Sequence, residues 1–230
     1  MWQMKETTKS VTPANIGVIL AGGTGTRVGG SIPKQYIELC GKEVIAYSID
    51  AFHNSERTDA FFIVAHEVES QKRRLSEKYG CQCITGGQTR NESIYNALHY
   101  IKLVYASCQN ILIHEAARPL ITSEIIDTYI GLLNEYDAVI TTQHISDSLG
   151  QVGHHITDRN DYYLIQAPEA FKFDLMVRNF KKDSPLTATV QQLPFNIKVK
   201  KYYEFIGNLK ITYPIDIKTA ELIIGDLPPQ

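Results

Sequence analysis

The chain has 230 residues, 43% of them hydrophobic and 21% charged, and a formal net charge of −2. That length suits one domain, and the composition is that of a globular chain with a substantial core. The charge balance argues against a sequence-independent grip on nucleic acid, and no apolar run reaches the roughly 18 residues of a transmembrane helix.

The chain opens on a polar lead-in over residues 1–14, "MWQMKETTKSVTPA", which lacks the apolar stretch of a secretion signal. From residue 15 to 230 a single domain is expected. Ile16 to Leu20 reads as a buried strand, "KEVIAYSIDAFHN" as a helix, and "AFFIVAH" as a second strand. "ESQKRRLSEKYG" reads as a charged helix closing on Gly80, and "CQCITGG" as a short strand. "TRNESIYNALHYIKLVYA" has helical spacing. It is followed by the strand "NILIH", the helix "TSEIIDTYIGLLNEY" and the strand "DAVITTQ". This alternation predicts an α/β fold: a doubly wound, mostly parallel sheet covered on both faces.

The rhythm breaks after residue 143. Short β-like pieces around a Gly-rich turn predict a hairpin-like arm over about residues 143–164, standing out from the sheet. A helix ("EAFKFDLMVRNFKK"), a strand ("NIKVKKYY") and a last helix ("PIDIKTAELII") follow. Lys210 lies in an alternating segment that reads as strand. The cysteines at 40, 81, 83 and 108 form no C-x-x-C pair, so idle or buried thiols are expected in a cytoplasmic protein.

In open parallel sheets, ligands sit beyond the carboxyl ends of the strands. Three polar or glycine-rich segments follow strand ends here: "AGGTGTRVGG" after Leu20, "GGQTRNES" after Ile84 and "HEAARP" after Ile113. The first is no Rossmann fingerprint, because Val28 stands where the third glycine belongs and the second strand runs into Ala65 and His66 rather than an acidic residue. It is no P-loop either, since Gly30 precedes Ser31 and Ile32 instead of a lysine and a hydroxyl. Small residues that bare the backbone N–H groups, followed by Arg27 and Lys34, nonetheless suit a polyphosphate.

The pattern L-A-G-G-x-G-T-R-x-G followed by P-K-Q-Y resembles the signature of sugar-phosphate and polyol-phosphate nucleotidyltransferases. The sharper resemblance is to cytidylyltransferases acting on 2-C-methyl-D-erythritol 4-phosphate or ribitol 5-phosphate. "GGQTRNESI" (86–94), "HEAARP" (114–119), "DR" (158–159) and "NLKIT" (208–212) match in the same order, so the resemblance spans about residues 15–224.

This resemblance implies a Rossmann-like nucleotidyltransferase fold of the glycosyltransferase-A kind, a magnesium-dependent reaction, and a homodimer clasped by the arm. Ala21, Gly22 and Gly23 would lie along the CTP base and ribose, and Gly25 near the phosphates. Arg27 and Lys34 would hold the triphosphate. Gly87, Gln88 and Ser93 would meet the cytosine, while Arg159 and Lys210 would grip the acceptor phosphate, with Thr187 in the acceptor segment. Arg118 reads as a brace for the loop carrying Glu115. The implied partners are CTP and a small polyol phosphate, with neither nucleic acid nor membrane.

Three positions depart from the family's pattern. The usual metal-binding aspartate is Glu115, the usual T-P-Q is Ala167-Pro168-Glu169, and the usual T-D is Thr187-Ala188. Another nucleotidyltransferase, or a homologue that binds nucleotide without turnover, stands as the alternative.

Overall fold

The computed structural model describes residues 14–23, 32–65, 69–153 and 157–226. Nine strands and six α-helices lie among them. The strands are β1 (Asn15–Leu20), β2 (Glu38–Leu39), β3 (Lys42–Glu43), β4 (Ala60–Ala65), β5 (Gln82–Thr85), β6 (Asn110–Glu115), β7 (Ala138–His144), β8 (Tyr163–Lys172) and β9 (Val199–Tyr202). The helices are α1 (Val44–Asn54), α2 (Glu69–Tyr79), α3 (Arg90–Val104), α4 (Ser123–Leu132), α5 (Phe173–Asn179) and α6 (Pro214–Gly225).

Seven strands form one sheet in the order β5-β4-β1-β6-β8-β7-β9. Every neighbouring pair is parallel except those made by β8, which runs antiparallel between β6 and β7. Successive residues of a strand face opposite sides, and each side here has its own apolar layer. Ile19, Ile63, Leu112 and Val139 pack under α1 and α4, against Ile49, Phe52, Ile126 and Tyr129. Val18, Phe62, Val64 and Ile113 pack under α3 and α5, against Ile94, Leu98, Phe173 and Met176. Burying a chain of such residues on both faces is the main force holding the sheet. The doubly wound α/β expectation therefore stands.

Helix and sheet meet at close quarters at Gly17. A Cβ built there would lie 2.3 Å from the Phe52 ring, so α1 can approach β1 only because this residue has no side chain.

Several expected elements need correction. The segment read as the helix "EAFKFDLMVRNFKK" is strand as far as Lys172, and the helix covers only Phe173–Asn179. Ala167 to Phe171 are buried on both faces of the sheet, which erases the alternation that marks a half-buried strand. The expected arm accordingly ends in β8, whose Tyr163 pairs with His144. Between those residues, the described part contains one bridge residue, Gln151, and a short 3-10 turn at Arg159–Asp161. Lys210 lies in an irregular segment, not in a strand. The cap of α2 is as expected, with Gly80 at φ +65.

Candidate active site

The parallel register places three strand ends side by side. Leu20 of β1 is level with Glu115 of β6 and with Val64 of β4, and Ala65 is level with Thr85 of β5. Backbone bonds carry this alignment past the strands: Ala21 N–H donates to Val64 (2.8 Å), Ala116 N–H to Leu20 (3.0 Å) and Gly86 N–H to Ala65 (2.7 Å). Beyond these ends lies a cleft of about 390 Å³. Ala21 to Gly23 form one wall, Gly87 to Thr89 the other, and Lys34, Arg90, Glu115 and Lys210 line the space between. That volume falls in the range of small-ligand sites.

Both walls are braced by buried side chains. Gln35 donates from its amide nitrogen to the carbonyls of Ala21 (2.6 Å) and Gly23 (2.9 Å), so both amide hydrogens hold the glycine-rich wall. Its main chain is part of the 3-10 turn Lys34–Tyr36 that also presents Lys34. Lys34 Nζ donates to the Ile211 carbonyl at 2.7 Å.

On the opposite wall, Ser93 Oγ accepts from Gly87 N–H (3.1 Å) and donates to the Thr89 carbonyl (3.0 Å). The N-cap of α3 is Thr89, which accepts from Glu92 N–H, so Ser93 braces the loop rather than capping the helix. A Cβ on Gly87 would lie 2.2 Å from Glu92 Cβ, and one on Gly86 would lie 3.0 Å from the Ala65 carbonyl oxygen. These glycines are required by the tight entry into α3.

The charged end of the cleft centres on Glu115. Its Oε2 lies 2.7 Å from Lys210 Nζ and 3.4 Å from Arg118 Nε, and its Oε1 lies 3.3 Å from Arg90 Nε. Burial by itself would raise the pKa of this carboxyl. The three surrounding cations outweigh it and hold the group at about 2, so it is ionised at neutral pH. Arg118 Nη1 also donates to the Asn208 carbonyl at 2.8 Å, which ties the Glu115 strand end to the segment carrying Lys210. Next to Glu115, His114 is fully buried and bonds the Arg118 carbonyl through Nε2 (3.1 Å). Burial, reinforced by the Arg118 charge, pushes its pKa down to about 3, so it is neutral.

The family model described as "IspD: 2-C-methyl-D-erythritol 4-phosphate cytidylyltransferase" matches residues 16–226. The chain belongs to this family. The 2-C-methyl-D-erythritol 4-phosphate cytidylyltransferase of Alkaliphilus oremlandii is 31% identical over 223 residues, covering 90% of this chain and 93% of the relative. The enzyme of the same name from Lachnoclostridium phytofermentans is 31% identical over 230 residues, with 91% and 95% covered. Among solved structures, 4-diphosphocytidyl-2C-methyl-D-erythritol synthase from Anaerococcus prevotii superposes with a TM-score of 0.78 at 24% identity. That match covers 92% of this chain and 96% of that one, and shows the shared fold.

Of the positions singled out in the sequence, Ala21, Gly22, Gly23, Lys34, Gly87, Gln88, Ser93, Glu115 and Lys210 line this one cleft of the IspD-family chain. Gly25 and Arg27 lie outside the described residues. Arg159 does not line the cleft: it sits between β7 and β8, where its Nη1 donates to the Ser146 carbonyl. Thr187 lies just beyond the cleft, where its carbonyl accepts from Arg90 Nη1 at 3.0 Å.

Two residues central to the site, Arg90 and Gln35, are not marked out by sequence reasoning. Arg90 stands inside "GGQTRNES" and Gln35 inside "PKQY", so the motifs contain the signal. Arg90 acts on groups in other segments and Gln35 on the glycine-rich stretch ahead of it, and nothing in the local pattern names those partners. Among the described residues no helix is long and apolar enough to cross a membrane.

Proposed function

We propose that this chain transfers CMP from CTP to 2-C-methyl-D-erythritol 4-phosphate, forming the CDP-polyol and releasing pyrophosphate. The observation that carries this reading is the convergence of Lys34, Glu115 and Lys210 with two bare backbone walls in a single cleft of an IspD-family chain.

An oxygen of the acceptor phosphate attacks the α-phosphorus in line. One P–O bond forms, the bond to the β-phosphate oxygen breaks, and pyrophosphate leaves with the electron pair. A phosphate monoester is already a nucleophile, so no side chain needs to act as a base. The chain's task is to align two anions and neutralise their charge. Lys34, with Arg27, holds the triphosphate, and Lys210 takes the acceptor phosphate. The Ala21–Gly23 wall flanks the base and ribose with Gly25 nearer the phosphates, while Gly87, Gln88 and Ser93 form the cytosine side.

Glu115 is the residue that suits Mg²⁺. It is ionised, faces the cleft and offers hard oxygen donors, and Mg²⁺ commonly takes one or two carboxylates together with substrate phosphates. Among the described residues no group of three or more His, Cys, Asp or Glu could hold a metal ion. When bound, the ion supplies positive charge to the reacting phosphates.

Arg159 belongs to the segment joining β7 and β8, away from its own cleft. We read this arm as reaching the cleft of a second copy in a homodimer, where Arg159 meets the acceptor phosphate and Thr187 borders the acceptor. The four cysteines, none of them in a disulfide, suit a cytoplasmic protein.

The deciding experiment measures pyrophosphate release with Mg²⁺, each nucleoside triphosphate, and either 2-C-methyl-D-erythritol 4-phosphate or ribitol 5-phosphate. Turnover is expected with CTP and the methylerythritol phosphate. Turnover restricted to ribitol 5-phosphate, or equal use of ATP or GTP, would overturn the assignment.

A further inference from the structure

Glu169 is among the most deeply buried charged groups in the protein, with 1% of its surface exposed. Three donors converge on its carboxylate. Oε1 accepts from Thr189 N–H (3.1 Å) and from Arg90 Nη2 (3.3 Å), and Oε2 accepts from Val190 N–H (3.1 Å). Arg90 in turn makes its remaining bonds in two directions. Nε reaches Glu115 Oε1 at 3.3 Å, and Nη1 reaches the Thr187 carbonyl at 3.0 Å and Thr189 Oγ1 at 3.2 Å.

A chain of contacts therefore runs from the buried end of β8, through one guanidinium, to the cleft carboxylate and to the 187–190 segment. We propose that Glu169 is a positioning residue that acts through Arg90, fixing the distance between Glu115 and the Thr187–Thr189 segment and so shaping the acceptor side of the cleft. This inference rests on the transfer reaction proposed above.

The chemistry of the position supports a carboxylate specifically. All three converging groups are donors, arriving on both oxygens. A glutamine has one acceptor oxygen, so its NH₂ would face at least one N–H with no acceptor between them. A buried carboxylate is costly to desolvate unless it is matched by such donors, so a charge at this depth is retained only with a full set of partners.

The planar fork of arginine is equally specific, because it can engage two carboxylates and a carbonyl along different edges at once. Arg90 is thus committed to protein partners and serves as a strut. The cluster as a whole has three cations (Arg90, Arg118 and Lys210) against two carboxylates (Glu115 and Glu169), leaving one net positive charge beside the place where anionic substrates meet.

The nucleotide walls depend on other braces, Gln35 on one side and Ser93 on the other. Loosening the strut should therefore separate the two substrates. In Glu169→Gln, kcat/KM for the acceptor phosphate should fall at least tenfold, while CTP affinity without acceptor, read by titration calorimetry, stays within about twofold. Arg90→Lys leaves the bonds that Thr189 N–H and Val190 N–H donate to Glu169 in place and removes only the fork, so it tests the strut in a fold that is otherwise intact. It should show the same selective loss, and Glu169→Gln should add nothing further in the Arg90→Lys background.

Unchanged acceptor kinetics in Arg90→Lys would overturn the proposal. So would equal losses for CTP and acceptor in folded protein, or additive effects in the double variant. Absence of wild-type turnover would instead overturn the reaction reading and this inference with it, so the wild-type assay tells the two failures apart.

Discussion

Lys210 Nζ lies 2.7 Å from Glu115 Oε2, so the lysine assigned to the acceptor phosphate and the carboxylate assigned to the metal are paired directly. Arg90 and Arg118 complete a ring of three cations around that one carboxylate. Glu115→Gln removes the charge that these cations surround and one of the two oxygens proposed to serve Mg²⁺. Turnover should fall at least 100-fold, about 3 kcal/mol of barrier. Glu115→Asp keeps the charge and should retain measurable Mg²⁺-dependent activity. Steady-state rates at equal folded concentration check both, and a fully active Gln variant would remove Glu115 from the site.

Lys34 is presented by a short turn whose next residue, Gln35, braces the glycine-rich wall. Lys34→Ala removes the cation proposed to face the triphosphate, and its bond to the Ile211 carbonyl, while leaving that brace in place. The expected loss is at least 100-fold in kcat/KM for CTP, with thermal stability close to wild type. A normal rate in the folded variant would place the phosphates elsewhere.

Gln35 itself offers a different test. Its amide nitrogen donates to two carbonyl oxygens, so Gln35→Glu would set a carboxylate against two acceptors in a buried position. CTP affinity should weaken at least tenfold, and stability should fall by about 2 kcal/mol. Calorimetric titration with CTP and a denaturant melt would read the two effects separately.

Gly87→Ala places a Cβ 2.2 Å from Glu92 Cβ, a contact that only a shift of the loop can relieve. The loop carries the proposed cytosine wall, so CTP binding should weaken at least tenfold while binding of pyrophosphate is nearly unchanged. Gly23→Ala meets nothing within 4 Å and should be tolerated in stability.

His114 gives the fold a pH dependence of known sign. Its pKa is about 3 when folded against a usual 6.5, because burial and the Arg118 charge disfavour the imidazolium. The unfolded chain therefore binds the extra proton first, and stability present above pH 6.5 is lost as pH falls from there towards 3. Glu115 adds to the loss lower down, between its usual 4.5 and about 2. Urea melts across this range should show falling stability on acidification, with a flatter profile in a folded His114→Phe variant. Identical profiles would show that His114 does not carry the effect.

Much of this protein is legible in its amino-acid order. The alternation of apolar strands with helices specifies a doubly wound parallel sheet, because hydrophobic periodicity is a local property that each segment carries alone. The cleft-lining motifs are legible for a related reason. A backbone wall needs consecutive small residues, so "LAGG" and "GGQTRNES" announce themselves.

What the tertiary structure decided is everything that depends on partners distant in the chain. The placement of β8 between β6 and β7 buries its last residues on both faces, and that removes the alternation by which a strand is found. Arg90 meets Glu115 across 25 positions and Glu169 across 79, and Lys34 meets Ile211 across 177. Sequence supplied the charges and the glycines. Only the folded register of β1, β4, β5 and β6 brought them to one end of one sheet, because which charges pair is set by distance in space and not by order along the chain.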